Sequence, residues 1–322
     1  MQTLRNVSRV VPSLLCAAAL TGCGSCQRGP ASDLRVEGPT PYVRCLADEP
    51  PDDRSFRMGA FAAEVTDGVL RLRAQGPVRL AVFSGPAPST ASIDEALALL
   101  PEVELLVVLG GLGDSEAQAA ATLAALAATD TAVLFIAGGR DDAVVLATVF
   151  EDLESEATER VLNATALERI VIGGDALVPI GGAPGGRYAR TDTACGYGEE
   201  DLRLRAEALG AAGEGERRWL LSWAAPTGLG PGIEGAEVGD DGLASFAETV
   251  GAAGGLHAWP RELAGLGVEG GHGPQRVVSP IAGPASERAD GTRVLPRPLI
   301  LRLDEGGLGV AEEPPPADDA AH

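Results

Sequence analysis

The chain has 322 residues, long enough for one large domain or two small ones, and 45% of it is apolar, enough to fill a core. Aromatic residues make up only 4%, so that core must be built from Val, Leu, Ile and Ala. A formal charge of -21 sets the surface against polyanions, which excludes nucleic acid and anionic head groups as partners through plain electrostatics.

The chain starts with a basic stretch carrying Arg5 and Arg9, followed by a short apolar run from Val10 to Leu20. That run is about half of the roughly 20 residues a spanning helix needs. It ends in Leu20-Thr21-Gly22-Cys23, which resembles a bacterial lipoprotein signal. The resemblance implies a signal peptide over residues 1–22, cleavage before Cys23 and acylation of that cysteine with palmitate-type chains. An ordinary secretory signal with an incidental cysteine is the competing reading. Gly24 rather than Asp after the cysteine implies, by the sorting rule of enteric bacteria, an outer-membrane anchor facing the periplasm or the cell surface. An exported protein lives where disulfides persist. With Cys23 acylated, Cys26, Cys45 and Cys195 remain, and a Cys45–Cys195 bridge tying the start of the chain to its body is the expected pairing. No CxxC pair is repeated, so a structural zinc site is not expected.

Residues 23–55, rich in Pro, Asp, Gly and Arg, read as a flexible tether, and 312–322, "EEPPPADDAAH", as a disordered acidic tail. Residues 56–311 form the body. Its first half alternates strand and helix signals. "VRLAVFS" (78–84), "ELLVVLG" (104–110) and "TAVLFIAGG" (131–139) predict strands. "SIDEALALL" (92–100), "SEAQAAATLAALAAT" (115–129) and "DAVVLATVFEDL" (142–153) predict helices. This order implies right-handed crossovers and a parallel sheet, with functional loops beyond the carboxyl ends of the strands. In the second half "LERIVIGG" (167–174), "ALVPIGG" (176–182) and "RRWLLSWAAP" (217–226) read as strands, and "GGLHAWP" (254–260) as a loop. "RVVSPIAG" (276–283) and the hairpin "RPLILRLDEGGLGV" (297–310) close the body. The expected fold class is α/β, a sandwich of two central mixed sheets flanked by helices.

Five loops follow predicted strands: Ser84 to Ala87, Gly110 to Asp114, Gly138 to Asp141, Ser222 to Pro226 and Gly254 to His257. Their order and context resemble the calcineurin-like metallophosphoesterases. That family places D-x-H, G-D-x-x-D, G-N-H-[DE], a lone His and G-H-x-H on such loops, to hold two divalent metals that activate a water and clamp a phosphate ester. Here the Asp and His of the first motif are replaced by Gly85 and Ala87. The bridging Asp of the second is Gly111, while its other Asp survives as Asp114. The Asn and His of the third are Gly139 and Arg140, with Asp141 kept. The lone His falls at Trp223 or Ala224. In the last motif the first His is Gly255 and the second survives as His257.

Two metals about 3.5–4 Å apart need several carboxylates and imidazoles between them, and these positions no longer supply them. The resemblance therefore implies a degenerate member: a pseudoenzyme without cofactor, a non-catalytic envelope lipoprotein that binds a protein partner at the former active face or acts as a scaffold. The alternative is an active metal-dependent phosphoesterase using Mn, Fe or Zn. It would need ligands from outside the motifs, such as Asp175, Asp192, Asp240 or His272.

Several residues carry two readings. His257 is a vestigial ligand or a histidine bonded to backbone; Asp114 is a helix cap or a metal ligand. Arg140 holds an anion or pairs with Asp141, Asp142 or Asp114. Trp223 and Trp259 form a contact surface or fill the volume the metals left. A rebuilt hydrolase from Ser84 or Ser222 with His257 and an aspartate lacks the G-x-S-x-G elbow. "GGAPGGRYAR" (181–190) reads as a turn between strands rather than a phosphate loop.

Overall fold

The computed structural model describes residues 43–47, 51–83, 93–94, 97–98, 100–113, 115–153, 159–185, 189, 191–227, 239–259, 266–269, 276–278, 286–287, 293–294, 299–304 and 307–310. With strands numbered in chain order, the apolar runs of the first half form β5 (Val78–Phe83), β6 (Leu105–Leu109) and β7 (Ala132–Ile136), joined by the short β8 (Val161–Asn163). All four run parallel, in spatial order 5-6-7-8. Every residue of β6 and β7 is buried, which is why both read as unbroken apolar runs rather than alternating ones. The hairpin β19 (Leu299–Asp304) and β20 (Gly307–Val310) completes this six-stranded sheet by pairing β19 antiparallel to β5.

The second sheet has nine strands. It begins with the meander β2 (Arg54–Met58), β3 (Phe61–Thr66) and β4 (Val69–Arg73). It continues through β9 (Arg169–Ile172), β10 (Asp175–Ile180), β13 (Arg217–Ala224) and β14 (Ala252–Trp259). It ends with β16 (Arg276–Val278) and β15 (Leu266–Glu269). A two-stranded hairpin, β17 (Ser286–Glu287) with β18 (Arg293–Val294), stands apart.

Strand alternation divides the core into three slabs. Between the sheets, Leu105, Val107, Leu134 and Ile136 meet Leu70, Leu72, Leu177, Leu221 and Leu256. On the far face of the six-stranded sheet, Leu106, Val108, Val133 and Phe135 lie under α1 (Glu116–Ala127) and α2 (Ala143–Glu151). On the far face of the nine-stranded sheet, Val178, Ile180 and Leu220 lie under α3 (Glu199–Leu209) and α4 (Asp241–Thr249). The architecture is the expected α/β sandwich of two mixed sheets with helices outside.

The helix ends follow their capping residues. Ser115 Oγ accepts from the Gln118 amide at 3.3 Å and is the N-cap of α1, while Asp114, the expected cap, lies outside the described residues. Asp142 caps α2 by accepting from the Val144 and Val145 amides, and Asp240 caps α4 through the Leu243 amide. Arg218, fully buried at the start of β13, donates to the carbonyls of Leu209, Gly210 and Ala211 at the end of α3 and to Val250 at the end of α4. One side chain thus satisfies carbonyls at the ends of both helices on that face.

The expected tether over 23–55 needs correction at its distal end. Val43–Arg44 forms β1, parallel to β12 (Cys195–Tyr197), which also pairs with β11 (Ala183–Pro184). Cys45 is disulfide-bonded to Cys195, and both are buried. Arg44 Nε donates to Asp201 at 2.7 Å on the first turn of α3, and Arg54 and Ser55 already belong to β2. The composition of this stretch is that of a linker, but its cysteine and arginine bind it to the body. Residues 1–22 with the expected signal, Cys23 and the expected tail 312–322 lie outside the described residues. Among the described residues no helix is long and apolar enough to cross a membrane.

Candidate functional site

The carboxyl ends of β6, β7 and β13 meet at one end of the sandwich. Gly110 and Gly111 both take positive φ, 72° and 80°, so the chain turns sharply out of β6 in a conformation that favours glycine. The β7 loop is Gly138-Gly139-Arg140-Asp141. Asp141 is 2% exposed, and its carboxylate accepts from three amides: Gly111 at 2.8 and 3.0 Å, Leu112 at 3.0 Å and Gly138 at 2.7 Å. The anion is held by oriented N–H groups from two loops, so it clamps one loop to the other. Its own peptide carbonyl accepts from the Cys195 amide at 3.0 Å, carrying the clamp on to the disulfide strand.

Trp223, at the end of β13, fills the space between these loops. It is 8% exposed and part of the core between the sheets. A β-carbon on Gly138 would lie 2.5 Å from its Cδ1, one on Gly110 2.9 Å from the same atom, and one on Gly139 3.0 Å from its Cζ3. The ring therefore lies directly on the backbone of three glycines, and a side chain at any of them would overlap it. Gly139, where the family resemblance expects asparagine, is also closed off by Ala183, whose Cβ would be 2.6 Å away. Of the two readings for Trp223, the structure selects the filled volume. The side chain of Trp259, and Gly85 and Ala87 with the whole β5 loop, fall outside the described residues.

The stretch expected as a loop at 254–260 is the strand β14, and this moves His257. Leu256 and Ala258 point between the sheets, so His257 points to the opposite face, toward α3 and α4. It is 2% exposed, its ring folds over Gly255, and its Nδ1 lies 2.6 Å from Ser222 Oγ. The Ser222 hydroxyl is 2.6 Å from the Ala224 carbonyl. Its single hydrogen goes to that carbonyl, so the serine accepts from Nδ1–H. Burial pushes the His257 pKa down from 6.5 to about 3. This pair does not suit nucleophilic catalysis, because the serine proton is held by backbone and both groups are buried. Ser222 and His257, set together in the sequence as part of a rebuilt hydrolase, are brought together by the structure, but as a buried hydrogen bond.

A pH dependence follows. Above pH 6.5 the residue is neutral whether folded or not. Between 6.5 and about 3 the unfolded chain takes a proton that the folded chain does not, so stability falls with pH. The expected loss from this group is about 1.4 kcal/mol per pH unit well below 6.5. Urea unfolding of the wild type and His257→Gln at pH 7.5, 6 and 5 checks it: the gap between the two should narrow or reverse as pH falls.

Arg140 is exposed and makes no ion pair among the described residues. The expected partners are committed elsewhere: Asp141 to its three amides, and Asp142 to the cap of α2 and the Thr193 hydroxyl. Two of the four outside ligands a remodelled metal centre would need are also occupied. Asp175 is fully buried beneath Arg217 and Trp219 at the far end of β13, and Asp240 caps α4 and accepts from Tyr197. Asp192 is exposed, and His272 lies outside the described residues. Among the described residues no three His, Cys, Asp or Glu side chains gather where they could hold a metal. Among the described residues, the space between the β6 and β7 loops is taken by the ring of Trp223.

No family model matches the chain, and no curated protein matches it. Solved structures do. One is 12% identical with a TM-score of 0.51, and the match covers 73% of this chain and all of the other. At that identity the likeness is one of fold, an α/β sandwich. A second, TT1561 of Thermus thermophilus, is 16% identical with a TM-score of 0.49 over 73% of this chain and 99% of its own.

Proposed function

We propose that the chain is a non-catalytic envelope lipoprotein whose metallophosphoesterase-like domain serves as a binding or scaffold module. The observation that carries this reading is the packing of Trp223 on Gly110, Gly138 and Gly139, at the place where a phosphoesterase of this resemblance needs metal donors. A tryptophan supported by three glycines is a built feature: ring and glycines fit only together. Asp141, the acidic residue retained in the third motif, has both carboxylate oxygens engaged by loop amides.

The test is metal content by elemental mass spectrometry on the purified, untagged chain after exposure to Mn, Fe and Zn, together with turnover of bis(p-nitrophenyl) phosphate. We expect far less than one equivalent of any metal and a rate equal to buffer. Gly111→Asp should stay as silent, because Gly139, Arg140, Trp223 and Gly255 still offer no ligands. One or two tightly held equivalents with turnover would make the chain an active hydrolase instead.

Anchoring is supported by the Leu20-Thr21-Gly22-Cys23 quartet after a basic start and a short apolar run. Cys23→Ser should leave the protein in the soluble or unprocessed fraction of cells. A processed form that still sediments with membranes would sink the lipid-anchor reading.

A further inference from the structure

A second concave site lies at the opposite end of the sandwich from Trp223, where the amino ends of β5, β10 and β13 meet the carboxyl ends of β4, β9 and β19. It is a cleft of about 1100 Å³, slightly larger than most small-molecule sites. Its floor is apolar, formed by Leu72, Val78, Ile172 and Leu303 from the core between the sheets. Its walls carry Arg71, Arg73, Arg217 and Arg302.

That concentration is unusual for this chain. All 25 of its basic residues are arginines, set against 46 acidic ones, yet four arginines and one acid, Asp304, line this cleft. Asp175 beneath Arg217 and Glu64 beside Arg73 offset two of the remaining three positive charges. The cleft is still net positive on a molecule of charge -21.

Part of the wall is preorganised. Asp175 is fully buried and binds Arg217 through two parallel bonds, Nε to Oδ1 at 3.0 Å and Nη2 to Oδ2 at 2.7 Å. The Trp219 indole N–H donates to the same carboxylate at 2.8 Å. The guanidinium is thereby fixed at the rim with its Nε–Nη2 edge on Asp175, so that it adds positive charge to the wall while Arg71 and Arg302 face the opening. Arg302 spends its Nε on Asp304, and Arg71 has no ion pair among the described residues. The mouth is kept open by glycines: β-carbons on Gly173 and Gly215 would meet nothing within 4 Å.

We propose that this cleft binds a small organic anion with an apolar body, a phosphate or carboxylate head held by arginine forks with its stem on the leucine, valine and isoleucine floor. The site is separate from the Trp223 region and does not depend on whether that region is catalytic.

Calorimetric titration of the purified chain with octyl phosphate, octanoate and the uncharged octyl glucoside tests it. Saturable one-to-one binding of at least one of the two anions is expected, with the neutral compound at least about tenfold weaker. The tighter of the two anions identifies the head group. Arg71→Ala and Arg302→Ala should each weaken the anion about tenfold without lowering the melting temperature, because both side chains are at least partly exposed. Arg203→Ala, on the solvent face of α3, should change nothing and serves as the control. The proposal is overturned by equal affinity for octyl glucoside, by anion binding that survives Arg71→Ala with Arg302→Ala, or by no saturable binding of either anion.

Discussion

Replacing Cys195 by alanine is expected to lower the free energy of unfolding by about 4–5 kcal/mol. The disulfide to Cys45 spans 150 residues. In the chain-entropy account, a loop of that length confers about 5 kcal/mol by restricting the unfolded state. Both cysteines are buried, so the bridge is also part of the packing. Cys45→Ala should match Cys195→Ala, and the double variant should be no worse than either, since one bond is lost in every case. Denaturant unfolding under oxidising conditions measures it, and a reducing agent should bring the wild type down to the level of the variants. Additive losses in the double variant would mean that the two thiols act separately.

Asp141→Ala should cost about 3–5 kcal/mol. It removes the acceptor of the Gly111, Leu112 and Gly138 amides, the last two of them buried, and leaves those donors without a partner. Asp141→Asn should cost about half as much, since one oxygen remains while an NH2 group is turned toward N–H donors. Urea unfolding gives the magnitudes. The fluorescence of Trp223, whose ring rests on Gly138, gives a local readout: the alanine variant should shift the emission to longer wavelength as the two loops part. An unchanged spectrum with unchanged stability would show that the loops do not need the clamp.

How far the sequence could be read depended on how each element is buried. The strands β5, β6 and β7 were plain because parallel strands covered on both faces are apolar throughout. Caps at Ser115 and Asp142 marked α1 and α2. Strand β14 was misread because two glycines and a histidine interrupt its apolar run; the ring of His257 occupies the space over one of them, Gly255. Helix α3 gave no signal because two of its buried positions are Asp201 and Arg205, used for bonds rather than for an apolar stripe. Strands β1, β11 and β12 are two or three residues long, too short for any periodicity. At the candidate site, the scarcity of metal-donating residue types on these loops was legible in the sequence, whereas the three-amide clamp on Asp141 required coordinates, because hydrogen bonds between loops leave no spacing pattern.

The position of the C-terminal hairpin bears on how the molecule is assembled. Strand β19 is the inner neighbour of β5 although more than two hundred residues separate them, so β5 keeps an unsatisfied flank until nearly the whole chain is present. A half-finished copy would offer that flank, with its row of amides and carbonyls, to any other extended chain. Residue 45 likewise waits for residue 195 before it can be locked. Both pairings join segments far apart in the sequence, so the fold depends on long-range contacts that form slowly.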